Sequence, residues 1–360
     1  QEYNQLEGIF LQDPAGDGDS STSDGVFVYL GYSGYKYFPD VSEGDLVRLY
    51  GEAGEYRGQT QVSWDSSSDA SICGGGIEVK PTKVILPVAD MAEWETVEGM
   101  LVELPQKLSV SGNYNQGYRG EVDLAFKWPL DNPTNVVLPG AAAVALQDLN
   151  DRSRIQLDDG TSWTNYELPY FYDDPGYRTL RTGDKLKQPL VGAVGQYYDY
   201  EIHPTEPVVF QQHNLRPDGP PNTRGELTVA SFNVLNFFTT IDLINDSSYN
   251  NNPADDICGP NADQDCRGAD STTEYDRQLD KLLAALVGLD ADIIGLQEVE
   301  NHPGHIPITT LVAALNAADP STDSWTWVGE VDPYNNYIIR NEIIYRADRV
   351  DPVDGPLTVS

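Results

Sequence analysis

The chain has 360 residues, 39% of them hydrophobic and 10% aromatic, which suits two or three domains with their own cores and excludes general disorder. It carries 57 acidic against 22 basic side chains, a net charge of −35, so it offers no basic stripe of the kind that displaces counterions from a polyanion. No run of apolar residues reaches the length of a membrane-spanning helix.

The acidic excess is not confined to a tail. From Glu226 onward there are 6 basic and 23 acidic residues, against 16 and 34 before it. Solubility in a salty medium, where screening removes self-repulsion, accounts for this charge; local offset by bound divalent cations is the sharper alternative. The first residues show no basic segment followed by an apolar one, so the expectation is a cytosolic chain or a Gln1 left by a processing cut.

The first 220 residues read as strands. Runs such as Gly25–Tyr29 and Asp45–Tyr50 sit between Gly, Asp and Ser clusters, and Ala141–Leu149 is the best candidate for a short helix. Regular strands with turn residues between them point to barrels or sandwiches. Ahead of the second strand, Asp13, Asp17, Asp19 and Asp24 lie among glycines. Such a loop supplies the oxygen ligands calcium takes, without the spacing of an EF-hand, and equally suits a solvated acidic turn. Aromatic residues are frequent, for example Tyr32, Tyr35, Tyr37 and Phe38; they serve core packing or the stacking of single-stranded bases.

A weak repeat runs through this region. Ile9–Asp13 resembles Ile155–Asp159, an offset of 146 residues. Gly51 to Tyr56 resembles Gly192 to Tyr197, both with Gly-x-x-Gly-x-Tyr, at an offset of 141. Two related small barrels explain the similarity, as does the common use of the same turn residues. Residues 215–225 are rich in proline and glycine and read as a linker.

Beyond the linker the pattern changes. Leu227–Leu235 is a largely apolar strand, followed by a long polar insertion. Ser271 and Glu274 form a capping box for a helix with Tyr275, Leu279, Leu282, Leu283 and Leu286 on one face, stopped by Gly288. Asp292–Glu298 is a buried strand. A second amphipathic helix carries Ile308, Leu311, Val312 and Leu315, and strands follow near Trp325–Val328 and Asn341–Tyr345. Strand, helix, strand makes this region α/β. Cys258 and Cys266 flank a short polar loop that a disulfide would close in an oxidising medium; a metal site is the rival, although no His or third Cys is near in sequence. Cys73 is left over.

Two polar residues end the buried strands, Asn233 and Glu298. Ligands collect outside strand ends in helix-flanked sheets. A carboxylate there suits Mg²⁺, which takes one or two carboxylates with waters and substrate phosphate, and a carboxamide orients a phosphate. A surface residue at a strand exit and a turn former explain the same positions. His302 and His305 lie in a Pro/Gly loop, as an incomplete metal pair or as exposed loop residues.

Ser231-Phe232-Asn233-Val234-Leu235-Asn236-Phe237-Phe238 and Ile294-Gly295-Leu296-Gln297-Glu298-Val299-Glu300-Asn301 resemble the first two signatures of the endonuclease/exonuclease/phosphatase superfamily. Arg267–Ser271 behind the cysteines, Ile339-Arg340 leading into Ile343–Arg346, and the acidic N-terminal loop are similar to the extracellular bacterial nucleases of the ExeM/NucH type. The resemblance implies OB-like β-barrels over 1–90 and 91–214, a linker over 215–225, and the first half of an α/β sandwich over 226–360. It implies a secreted bacterial enzyme that hydrolyses phosphodiester bonds of DNA, or RNA, with Mg²⁺ or Mn²⁺ and with calcium as a further ion. By matched position, Asn233 would help to place the scissile phosphate, Glu298 would hold the catalytic metal, and Arg340 would lie near the substrate backbone. The superfamily's later signatures, including the histidine that acts as general base, do not occur before Ser360, so the expectation is a fragment of a longer protein without a complete active site. The rivals are a non-catalytic structural or adhesive extracellular protein that retains the fold, and a phosphatase or lipid phosphodiesterase using the same metal chemistry.

Overall fold

The computed structural model describes residues 6–34, 36–66, 69–160, 180–221, 223, 225–241, 256–322, 324–329 and 336–353. Residues 242–255 of the expected polar insertion, together with Tyr35 and the last seven residues, lie outside them. The protein is mostly β-sheet with few helices, and it divides into two compact units, Gln1–Arg216 and Pro217–Ser360. The expected boundary near residue 90 therefore falls inside the first unit.

In the first unit, β1 (Gly8–Gln12), β2 (Gly25–Tyr29), β4 (Glu52–Tyr56) and β5 (Gln59–Ser63) form one sheet, and β3 (Leu46–Leu49) pairs with β6 (Ala70–Gly74). A curled nine-stranded sheet follows. It contains β7 (Thr82–Lys83), β8 (Leu101–Leu104), β9 (Leu108–Gly112), β10 (Val122–Phe126), β11 (Arg154–Leu157), β12 (Lys185–Leu186), β13 (Leu190–Tyr197), β14 (Asp199–Pro204) and β15 (Phe210–Gln211). Its order is 15-12-9-10-11-14-13-8-7, with the helix α1 (Ala141–Ser153) leading into β11.

Burial differs sharply between these two parts. Trp94, Leu104, Leu108, Val110, Leu124, Leu157 and Ile202 are among the sealed residues of the nine-stranded sheet's core. The smaller sheet rests on Val28, Leu30, Phe38 and Trp64, with Ile9, Leu11 and Val47 only partly covered. The two parts interlock. A Cβ on Gly25 would come within 2.4 Å of the Gly99 carbonyl carbon, Leu101 donates its N–H to Gln12 Oε1 at 2.8 Å, and Glu98 accepts from Thr60 and Gln59. Burial pushes the Glu98 carboxyl up to about 7, against the pull of the Thr60 N–H.

The second unit is one sheet, ordered β16 (Val229–Phe237), β17 (Ile293–Glu300), β19 (Ile339–Arg346) and β18 (Trp325–Trp327), with α2 (Thr272–Leu289) and α3 (Ile306–Ala318). Half of the expected capping box forms: Glu274 donates its N–H to the Ser271 hydroxyl at 3.2 Å, while its carboxylate accepts the N–H of Asp270, one residue ahead of the cap, at 3.2 Å. The helix passes Gly288, however, and ends at Leu289, where Asp290 takes the left-handed conformation at φ 47°. A short polar residue tolerates that region, so glycine is not needed. Leu282 and Leu286 of α2 pack with Ile308, Leu311 and Leu315 of α3 over Ile294, Leu296 and Val299.

Candidate functional site

β16 and β17 run parallel from Val229↔Ile293 to Asn233↔Gln297, and then the register shifts so that Phe237 faces Val299. Three residues of β16 now stand against one of β17. On the other side β17 is bulged against β19, with pairing resuming from Leu296↔Glu342 to Val299↔Arg340. Glu298 sits at both breaks, with φ 65°, and Leu235 and Asn236 are left-handed too, at φ 54° and 52°. Positive φ is uncommon in residues with a Cβ, and bulges beside sites re-aim side chains.

Asn233 and Glu298 were expected to end their strands; instead both lie inside them, at the register break, because β16 runs on to Phe237 and β17 to Glu300. Asn233 is exposed, opposite the face carrying Phe232 and Val234, and its Oδ1 accepts the Leu235 N–H at 2.8 Å, closing an Asx-type turn. Glu298 is half-buried, and its carboxylate has no hydrogen-bond partner among the described residues. Gln278 of α2 props the left-handed pair, donating to the carbonyl of Leu235 at 2.9 Å.

Arg340 is placed differently from the other two. Its ladder partner Val299 belongs to the core under the helices, and residues directly opposite share a face. Its Nε lies 2.8 Å from Glu342 Oε1, with side-chain exposures of 9% and 1%. Burial pushes Glu342 up to about 7, with the Arg340 guanidinium opposing, and its Oε2 has no partner. The motif reading could not see Glu342, because a carboxylate two residues on from an arginine in a strand is unremarkable until both are buried on one face.

Glu300 is a second buried carboxylate to which the motifs assign no role. It is 2% exposed and accepts the N–H groups of Thr239 and Thr240 at 2.8 and 3.1 Å, tying the exit of β16 to the end of β17. Beside it, the cysteines form the disulfide Cys258–Cys266, which packs with Phe238, Ile338 and Ile339. Arg267 next to it donates to the Tyr337 hydroxyl at 3.1 Å and lies over that ring. Cys73 is exposed and free.

The other candidate ligands are occupied locally. Asp13, Asp17, Asp19 and Asp24 each accept a backbone N–H from within their own loop, from Ala15, Asp19, Ser21 and Asp17. His302 Nδ1 accepts the Gly304 N–H at 3.0 Å, and His305 stands at the N-cap position of α3 without a side-chain capping bond, its ring beside Trp327. Among the described residues no group of three or more His, Cys, Asp or Glu converges on a metal position. The four aspartates of the calcium expectation form turns, and a carboxylate that accepts one N–H keeps further lone pairs. A single free carboxylate beside a carboxamide does fit Mg²⁺, an ion that keeps most of its waters. A cavity of about 1090 Å³ lies in the first unit, lined by Leu11, Val26, Leu30, Phe38 and Val47 among others.

Comparison of the chain with protein-family models, with curated proteins and with solved structures gives no match.

Proposed function

We propose that the second unit carries part of the active site of a secreted, Mg²⁺- or Mn²⁺-dependent nuclease acting on extracellular DNA. On this reading the second unit is the first half of an endonuclease/exonuclease/phosphatase-like sandwich, and the first unit comprises OB-like barrels. One observation carries the reading: a partnerless carboxylate, Glu298, held left-handed in a double bulge beside Asn233. Strain of this kind inside a sheet persists where the surroundings over-determine it, and such places cluster at functional sites.

Glu298 would hold the ion. When bound, the ion supplies charge stabilisation to phosphoryl oxygens. The Asn233 carboxamide, its oxygen held by the Leu235 N–H, keeps its amide nitrogen for a phosphate oxygen. Glu300 fixes the separation of the two strand ends through Thr239 and Thr240. No step is built on calcium. Ion binding tests the role of Glu298 more directly than turnover does.

Mn²⁺ titrated into isotopically labelled protein should broaden the amide signals around Asn233 and Glu298 first, and Glu298→Gln should abolish this. Broadening confined to the acidic loop of the first unit, or unchanged in the variant, overturns the assignment. The engagement of Arg340 by Glu342 favours a second reading, a non-catalytic adhesive protein that keeps this fold; it predicts no Mn²⁺ effect at either residue.

A further inference from the structure

We propose that two hairpin tips in the first unit form a platform that binds a neutral oligosaccharide chain. The tips are the turn joining β4 to β5, with Arg57 and Gly58 at its apex, and the turn joining β13 to β14, with Tyr198 at its apex. Arg57 has φ 55° and Tyr198 φ 70°. Tight hairpin turns that need positive φ are normally filled by Asn, Asp or Gly. Two bulky residues in these places cost stability that the turns themselves do not require.

The tips are held against each other. Tyr198 donates its N–H to the Arg57 carbonyl at 2.9 Å, and Gln196 donates to Gln59 Oε1 at 2.8 Å. This brings the Arg57 guanidinium carbon to 4.7 Å from the Tyr198 ring centre, 4.8 Å from Tyr197 and 5.5 Å from Tyr56. The same guanidinium donates to the Tyr198 hydroxyl. Tyr56 and Tyr197 are the matching tyrosines of the internal Gly-x-x-Gly-x-Tyr repeat, so the two copies present equivalent rings at one place.

Core packing does not explain these rings. They remain 52%, 49% and 67% exposed for Tyr56, Tyr197 and Tyr198, and none belongs to a hydrophobic core of the unit. A rigid, wet aromatic surface around a fixed donor is a recognition surface.

Charge selects the occupant. Glu55 and Asp199 adjoin the aromatic residues in the chain, the protein carries −35, and one arginine is the cation of the cluster. A polyanion gains affinity by releasing counterions at several cationic contacts, and this cluster offers one. A neutral sugar chain meets no such penalty. Its C–H faces lie on the electron-rich rings, its hydroxyls accept from the guanidinium, and they donate to the carboxylates.

The test is calorimetric titration of the full chain with cellohexaose, chitohexaose and maltohexaose, and with a single-stranded thymidine oligonucleotide. At least one hexasaccharide should bind, and Tyr197→Ala and Tyr198→Asn should each weaken it at least about tenfold, a loss of about 1.4 kcal/mol. Arg57→Gly is the discriminating variant, since it should raise the melting temperature by removing the strained turn and still lose binding. No binding of any hexasaccharide at ligand concentrations of about 1 mM overturns the proposal. So does oligonucleotide binding that the same variants abolish, which would make the occupant a nucleic acid. A lower melting temperature for Arg57→Gly overturns it too, by showing the tips to be a structural lock.

Discussion

The β13–β14 hairpin of the first unit and the β16–β17 pair of the second are both long ladders, and they place their left-handed residues differently. β13 and β14 stay in register from Gly192↔Pro204 to Tyr197↔Asp199, and the left-handed Tyr198 stands at the turn. β16 and β17 lose register inside the ladder, where Leu235, Asn236 and Glu298 are all left-handed. A strained turn leaves the backbone bonds of its strands intact. A strained ladder interior gives some of them up, and Gln278, Glu300 and the buried Phe237 must hold what remains. The difference teaches that a sheet can aim side chains beyond its edge only where neighbouring groups keep the defect in shape.

The hardest way to break this arrangement is to remove its anchor. Phe237 is fully buried at the point where pairing resumes, so Phe237→Ala should cost about 3–5 kcal/mol in chemical denaturation. Hydrogen exchange at Asn233–Asn236 should accelerate more than exchange in β13.

The next largest effect concerns pH. Glu342 has its folded-state pKa raised from 4.5 to about 7, so the folded protein holds more protons than the unfolded chain between those values. The contribution of Glu342 to stability is fully present below pH 4.5 and is lost as pH rises through about 7, by up to roughly 3 kcal/mol. Denaturation midpoints of the wild type and Glu342→Gln, measured from pH 4 to 8, should converge at low pH. They should separate in favour of the variant as pH rises. Parallel curves would show that the carboxyl titrates alike in the folded and unfolded chain.

Opening the disulfide should matter slightly less. The Cys258–Cys266 link closes a short loop packed on Phe238, so replacing both cysteines by serine should cost about 2–3 kcal/mol. Loss of order should be local to the exit of β16, with the first unit unaffected.

The smallest effect sharpens the comparison most. Glu298→Gly should raise stability by about 1 kcal/mol, because glycine takes positive φ without penalty. The same variant should lose Mn²⁺ binding. A stability loss would mean that the carboxylate supports the bulge instead of being carried by it.

Local signals carried much of this architecture. Gly25–Tyr29 is a strand over the range its alternation suggests, α2 begins where Ser271 and Glu274 specify, and the apolar spacing of Ile308 to Leu315 marks α3. The disulfide was legible because a polar loop between two cysteines leaves few other uses for them. Asn233 and Glu298 could be singled out as strand-end residues, but the strands continue past both, and Asn233 pairs with Gln297 just before the register shift that leaves Glu298 unpaired. Their conformation could not be read. Nothing about Glu298 in the sequence announces positive φ, since Glu seldom adopts it and the bulge results from pairing with two other strands. The burial of Glu342 against Arg340 depends in the same way on helices distant in sequence. Long-range packing overrides local preference at the positions where the chemistry is proposed.

The close approach of Gly25 to Gly99 has a practical consequence for dissecting the protein. With Gln12 bonded to Leu101 and Glu98 bonded to Thr60, an expression boundary drawn near residue 90 would cut the contacts that join the two cores of the first unit. Grafting, swapping or truncation of the N-terminal half should therefore keep Gly25, Gln12 and Thr60 together with Gly99, Leu101 and Glu98.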